Sequence, residues 1–198
     1  LDSLPEVAWQ AAERGDEAAL LAWLDSGGRV NATCGAGDVG GVTALMLAAH
    51  NGHERVVELL LQHGAKVNLQ DSNGYTALMF AANQGHERVV DLLIRRGAEI
   101  NKQSSKGSTA LMIAAGQGHE RVVKLLLRHG AEINQQNSNG CTALMGAANQ
   151  GHERVVDLLL QHGADVDRQG SEGNTALIAA AEHGHERVVD QLLQHGAE

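Results

Sequence analysis

Five histidines stand directly before a glutamate, at His53, His86, His119, His152 and His185. The pair is half of the zinc-hydrolase pattern His-Glu-x-x-His, in which two imidazoles on one helical face hold the metal. Here the residue four places on is Val57, Val90, Val123, Val156 or Val189, so no copy can chelate by itself. Equivalent histidines on neighbouring helices would lie about 8–10 Å apart, too far to share one ion. A structural role is expected for these five, and no metal. His63, His129, His162 and His195 precede Gly-Ala pairs at expected helix ends. A protonated imidazole suits that end of the helix dipole, which permits a pH-sensing reading; a solvated helix-end side chain is the plainer one. Gly35-Ala-Gly37-Asp-Val-Gly40 fits the dinucleotide fingerprint G-x-G-x-x-G. That fingerprint needs a buried apolar strand ahead of it, which is missing here, and Asp38 would oppose a pyrophosphate. A glycine-rich loop is expected instead. No serine, histidine and acid fall into a suggestive arrangement, so the chain reads as no enzyme, without catalytic residues or cofactor.

Composition narrows the partners. The 24 acidic residues outnumber the 15 basic ones, for a net charge of −9. An acidic surface repels phosphate backbones, and the four aromatic residues (Trp9, Trp23, Tyr75, Phe80) are too few for base-stacking platforms. Nucleic acid is not expected as a partner. No apolar run approaches the roughly 18 residues of a membrane span, and no secretory leader is read at the start. Cys34 and Cys141 are too distant in the chain to pair if units contact only their neighbours. A reducing intracellular setting fits, cytoplasm ahead of nucleus, with a monomer expected.

The element that positions all of these residues is a repeat. Gly-His-Glu-Arg-Val-Val begins at Gly52, Gly85, Gly118, Gly151 and Gly184, a period of 33 residues without slippage. Thr-Ala-Leu precedes each copy, at Thr43, Thr76, Thr109, Thr142 and Thr175; Gly-Ala follows each, from Gly64 to Gly196. A fixed period of this size means stacked, equivalent units. Within 71–103, Asn73-Gly74 signals a tight hairpin turn, and Thr76 can cap a helix carrying Leu78, Met79, Ala81 and Ala82. Gly85 ends it in the left-handed region, and a second helix opens at His86 with Glu87 in its first turn. That helix is apolar around most of its girth, through Val89, Val90 and Leu92-Leu93-Ile94, as a helix between two neighbours must be.

The chain divides accordingly. Residues 1–31 form a degenerate first unit, with Glu6 for the threonine and Asp16 for the histidine, and read as a capping repeat. Residues 32–42 form an extended glycine-rich loop, four residues longer than its equivalents and expected to bulge. Full repeats follow at 43–70, 71–103, 104–136 and 137–169, and 170–198 is a last repeat or a C-terminal cap. Gln191 replaces the Leu59, Leu92, Leu125 and Leu158 of the other copies, as a cap would require; an array cut short reads equally well.

Asp71, Gly74, Thr76-Ala77-Leu78-Met79, Ala81-Ala82, Gly85-His86, Val89-Val90, Leu92-Leu93-Ile94, Gly97-Ala98 and Asn101 closely resemble the pattern of the ankyrin repeat family. The likeness is strong over 38–198 and weak over 4–31. It implies an all-α solenoid of about six repeats, helix-turn-helix units joined by β-hairpin loops. Two departures recur: the family's proline is alanine (Ala44, Ala77, Ala110, Ala143, Ala176), and its next histidine is Met46, Met79, Met112, Met145 or Ile178. The second removes an imidazole that would bond the threonine, so a thinner polar network between repeats is expected.

The resemblance also implies a non-catalytic module that binds another protein through a concave face of hairpin tips and first helices. The positions that vary while the rest repeats fall there: Asn73, Tyr75, Asn83, Gln84, Lys106, Ser108, Gln117, Asn139, Cys141, Asn149 and Gln150, with His50 among their equivalents. Tyr75 is the best single anchor, since tyrosine gives large contact area at low entropy cost. Phe80 occupies a slot held elsewhere by Leu47, Ile113, Gly146 and Ala179, which suggests a shallow apolar pocket near Gly146. The family's members are frequent substrates of an asparaginyl hydroxylase, and Asn101 and Asn134 resemble its sites; bracing of a turn by these side chains is the plainer reading. Two other functions stay open: a designed or consensus-like scaffold without a native partner, and the targeting or inhibitory arm of a larger enzyme.

Overall fold

The computed structural model describes residues 4–36 and 39–198. It holds six helix pairs: α1 (Glu6–Arg14) and α2 (Glu17–Asp25), α3 (Ala44–His50) and α4 (Glu54–Gln62), α5 (Ala77–Gln84) and α6 (Glu87–Arg95), α7 (Ala110–Gly116) and α8 (Glu120–Arg128), α9 (Ala143–Asn149) and α10 (Glu153–Gln161), α11 (Ala176–Glu182) and α12 (Glu186–Gln194). They fall into two compact units, Leu1–Glu99 and Ile100–Glu198. In the first, α1, α3 and α5 stack in one row and α2, α4 and α6 in a second; in the second unit α7, α9 and α11 form one row and α8, α10 and α12 the other.

Among the described residues no helix exceeds nine residues. Alone in water such lengths would be marginal, so stacking must hold them. The repeated apolar residues do this: Leu45, Ala48 and Ala49 on α3, and Val56, Val57 and Leu60 on α4, are at most 2 % exposed. Alanines on the first helices let neighbouring backbones approach. Each first helix after α1 starts at a buried threonine whose hydroxyl accepts the N–H three residues on, 3.3 Å for Thr76 and Met79, whereas α1 follows Pro5 without a side-chain cap. At Met46, where the family has histidine, the thioether also accepts the Thr43 N–H at 3.4 Å. Sulfur thereby takes over part of the imidazole's work.

The six-residue phrase is explained by what each member does to the neighbouring repeat. Gly52 has φ +75, and a Cβ there would lie 2.6 Å from the His86 ring. The histidine covering that glycine reaches on to the preceding repeat: His53 Nε2 bonds the Glu13 carbonyl at 2.8 Å, His86 the His50 carbonyl at 2.9 Å, and His152 and His185 the Gly116 and Asn149 carbonyls at 3.0 Å. Arginines sit 3.4–3.9 Å from glutamates one repeat back, in the pairs Arg55–Glu17, Arg88–Glu54, Arg154–Glu120 and Arg187–Glu153. The two valines enter the core. Polar links between repeats are therefore plentiful, contrary to the thin network expected from the methionines.

A second set of links runs through the turns after the second helices. Asn68 accepts the Glu99 N–H at 2.9 Å and donates to the Gly97 carbonyl; Asn101 does the same for Glu132 and Gly130, at 2.9 and 3.1 Å. Asn134 accepts the Asp165 N–H at 2.8 Å. These asparagines brace the next repeat's turn, not their own.

Three expectations need correction. Residues 32–42, read as a loop, contain an antiparallel hairpin of β1 (Thr33–Ala36) and β2 (Val39–Thr43), paired Thr33 with Thr43 and Cys34 with Val42, with a bulge before Ala36. Gly37 and Asp38 of the fingerprint lie outside the described residues. Among the described residues this is the one two-stranded sheet; the tip at Asn73-Gly74 is a single turn, closed by the Asp71 N–H to the Tyr75 carbonyl at 3.0 Å. Gln191 does not make the last repeat's outward face polar. It turns back to α10, its Nε2 3.3 Å from the Glu153 carbonyl, while Ile178 and Leu193 are 41 % and 52 % exposed.

Candidate binding face

The turn tips and the ends of the first helices carry the residues singled out by their variability. Their backbones are fixed by local chemistry. Buried Asp71 accepts the N–H groups of Asn73 at 2.9 Å and Tyr75 at 2.7 Å through one carboxylate oxygen. Ser104 Oγ accepts the Ser108 N–H at 3.1 Å, and Asn137 Oδ1 accepts those of Asn139 and Cys141 at 3.0 and 2.9 Å. Adjacent tips are tied through the backbone: Ser72 N–H to the Gly40 carbonyl at 2.8 Å, Ser138 to Lys106 at 2.9 Å, Ser171 to Asn139 at 3.0 Å. The tips present side chains from a rigid base.

In the unit Leu1–Glu99, Asn73 and Gln84 are exposed, and Tyr75, Phe80, Asn83 and His50 are half-buried. Three rings come together there. Phe80 lies in the middle, with the Tyr75 centroid 5.7 Å away and the His50 centroid 5.9 Å away, the latter edge-on at 81°. Both ring pairs lie in the separation range of favourable aromatic contacts. His50 Nδ1 is out of contact with solvent and has no hydrogen-bond partner. The sequence gives Tyr75, Phe80 and His50 separately; their meeting could have been found from the period. His50 is the equivalent of Asn83, three places beyond Phe80, so stacking α3 on α5 sets the rings one turn apart.

In the unit Ile100–Glu198, Lys106, Gln117, Asn139, Cys141 and Gln150 are exposed, and Ser108 and Asn149 half-buried. No comparable cluster forms among them. At Gly146 an added Cβ would stand 3.8 Å from Gly116 Cα, in ordinary contact.

The histidines have work that accounts for them. In the repeated phrase His53, His86, His152 and His185 bond carbonyls of the preceding repeat; His63, His162 and His195 bond through Nδ1 to carbonyls of their own last turn, at 2.8–2.9 Å. Among the described residues no group of three or more His, Cys, Asp or Glu is placed to hold a metal, and no helix is long and apolar enough to cross a membrane. Burial pushes the half-buried Cys34 thiol up from its ordinary value, while Cys141 is exposed. On the second helices, a shallow groove of about 510 Å³ runs past Glu17, Glu54, Arg55, Glu58, Leu59, Gln62 and Leu92. Its carboxylates already face Arg55, Arg88 and Arg96.

Helix pairs at a period of 33 residues, glycine-ended and threonine-capped, now stand beside a family comparison. The model for ankyrin repeats matches the chain in three copies, over residues 8–104, 88–170 and 111–198. The chain belongs to the ankyrin repeat family. The matches together run from residue 8 to residue 198, so the degenerate first pair is largely included. Among curated proteins none matches the chain. Ankyrin repeats are a non-catalytic family whose members typically mediate protein–protein contacts, and the asparagine, histidine and threonine positions described above are those of its pattern.

Proposed function

We propose that this chain is a non-catalytic module that grips another protein with the turn tips and first helices of its repeats. One observation carries the reading. The residues held constant by the period are spent on the core or on links between repeats, while the variable ones project, exposed or half-exposed, from turns braced underneath. Fixed support beneath varied side chains is how solenoids build binding surfaces. The side chains assigned to contact are Asn73, Tyr75, Asn83 and Gln84 in one unit, and Lys106, Ser108, Gln117, Asn139, Cys141, Asn149 and Gln150 in the other. The acidic balance directs the module to a protein, not to nucleic acid, and the two unpaired cysteines suit a reducing intracellular setting.

The test is capture from a cell lysate by the parent chain and by a variant carrying Tyr75→Ala, Asn83→Arg and Asn149→Arg. The expected result is a partner held by the parent and lost by a variant that still melts cooperatively. Equal capture by both would move binding off this face. Five identical copies of one phrase favour a second reading, a consensus-like scaffold with no native partner; capture of nothing specific by either chain would select it.

Hydroxylation of Asn101 and Asn134 is a further assignment. Both side chains already brace the following repeat, so the enzyme would have to free them first. Intact mass after co-expression with the hydroxylase decides it: a gain of oxygen on these residues would support the assignment, and an unchanged mass, the outcome that the bracing bonds favour, removes it.

A further inference from the structure

We propose that the row Tyr75–Phe80–His50 is the energetic anchor of the binding face in the unit Leu1–Glu99. Its occupant is an uncharged stretch of polypeptide presenting an aromatic or long aliphatic side chain. The inference rests on the binding role proposed above and names the chemistry of the partner.

Rarity is the first observation. The chain has four aromatic residues, and its one tyrosine and one phenylalanine meet here, half-exposed, with a histidine added. Equivalent positions in other repeats hold Ser108, Cys141 and Asn174, or Ile113, Gly146 and Ala179, so the frame does not require rings at these places. Large, rigid side chains in a partly desolvated patch are what binding hot spots are made of.

Charge is the second. Helices α3 and α5 contain no Asp, Glu, Lys or Arg, although the chain carries 39 such residues. Charged side chains are set on the second helices, where Glu54, Arg55, Arg88 and Arg96 pair with one another or with neighbours. Close to the rings in the chain are the amides Asn51, Asn73, Asn83 and Gln84, each able to donate and accept as a polypeptide backbone does. A neutral, apolar patch with amides near it in the chain complements a neutral segment and gives a strongly charged one nothing to pair with.

The third is His50 itself. Its Nδ1 has lost water without gaining a bond, a cost the protein carries beside the rings. A docked backbone group offers that nitrogen a partner once the ring turns.

The experiment is selection of a phage-displayed random peptide library on the intact chain, followed by affinity measurements of one enriched peptide. The variants are Tyr75→Ser, Phe80→Ala and His50→Asn. Each introduces a residue already present at the equivalent place in another repeat (Ser108, Ala179, Asn83), so the fold has precedent for it. Gln84→Arg and Asn83→Arg, in the same unit, serve as face controls. Enriched peptides are expected to share an aromatic or aliphatic anchor and little charge, and to weaken about tenfold or more on Tyr75→Ser and on Phe80→Ala. His50→Asn is expected to weaken them by a smaller factor. Affinity should change less than about twofold between low and high salt. Peptides that ignore all three variants but are lost on the arginine controls would overturn the anchor and leave the face standing. Indifference to every variant would overturn both. A charged consensus with steep salt dependence, or no enrichment at all, would overturn the proposed partner chemistry.

Discussion

A glycine in the left-handed region can be required by its backbone, by its neighbours or by both, and this chain separates the two. Gly151 and Gly184 have nearly the same φ, +71 and +70, but a Cβ on Gly151 would lie 2.6 Å from His185 whereas Gly184 has nothing within 4 Å. Gly184→Ala should therefore cost only the left-handed penalty, about 1–2 kcal/mol. Gly151→Ala adds displacement of a hydrogen-bonded imidazole and should cost about 1–3 kcal/mol more. Urea denaturation of the two variants checks the difference; equal losses would mean that the histidine gives way freely. The cysteines separate in a similar manner. Burial raises the Cys34 thiol, leaving less thiolate at a given pH, and only the thiolate attacks. Alkylation by iodoacetamide at mildly alkaline pH should label exposed Cys141 well before Cys34, as peptide mass mapping would show.

At the scale of elements, helix pairs were legible because their signals are local: threonine cap, glycine stop, apolar period. The links between repeats were not legible, because nothing within one repeat says where a histidine or asparagine points. Asn101 was read as bracing a turn, but nothing in one repeat told that the turn lies 29–31 residues ahead. The hairpin β1–β2 was missed because glycines weaken a strand signal that cross-strand pairing restores. Gln191 was misread by type alone: a polar residue among leucines suggested an outward face, yet it packs inward with Oε1 buried and unpartnered. Gln191→Leu should thus stabilise the chain by about 1 kcal/mol, read as a rise in thermal midpoint. The two kinds of link should also differ in worth. Asn134→Ala removes a 2.8 Å bond to Asp165 N–H and should cost about 1 kcal/mol. Arg154→Gln breaks a 3.9 Å pair whose arginine is 88 % exposed and should change stability by less than about 0.5 kcal/mol.

For the molecule as a whole, stability is a sum of repeats and of joints between neighbours. Leu192 on α12 is fully buried, and Leu192→Ala should remove about 2–5 kcal/mol locally. Hydrogen exchange is then expected to quicken through α11 and α12 while α7 and α8 keep their protection; uniform loss would show that the unit Ile100–Glu198 melts as one body. The proposed binding face was legible only in part, since variability marks a position as free to change without saying which such positions meet. Stacking brought Tyr75, Phe80 and His50 together and left the other candidates scattered. The histidine that reaches back to the previous repeat has one more consequence, which concerns inheritance. At the junctions closed by His53, His86, His152 and His185, the later copy supplies the imidazole and the earlier one the carbonyl and bare glycine. A whole copy inserted or deleted leaves no mismatched junction, so such a gene can lengthen or shorten by one period and still encode a folded chain.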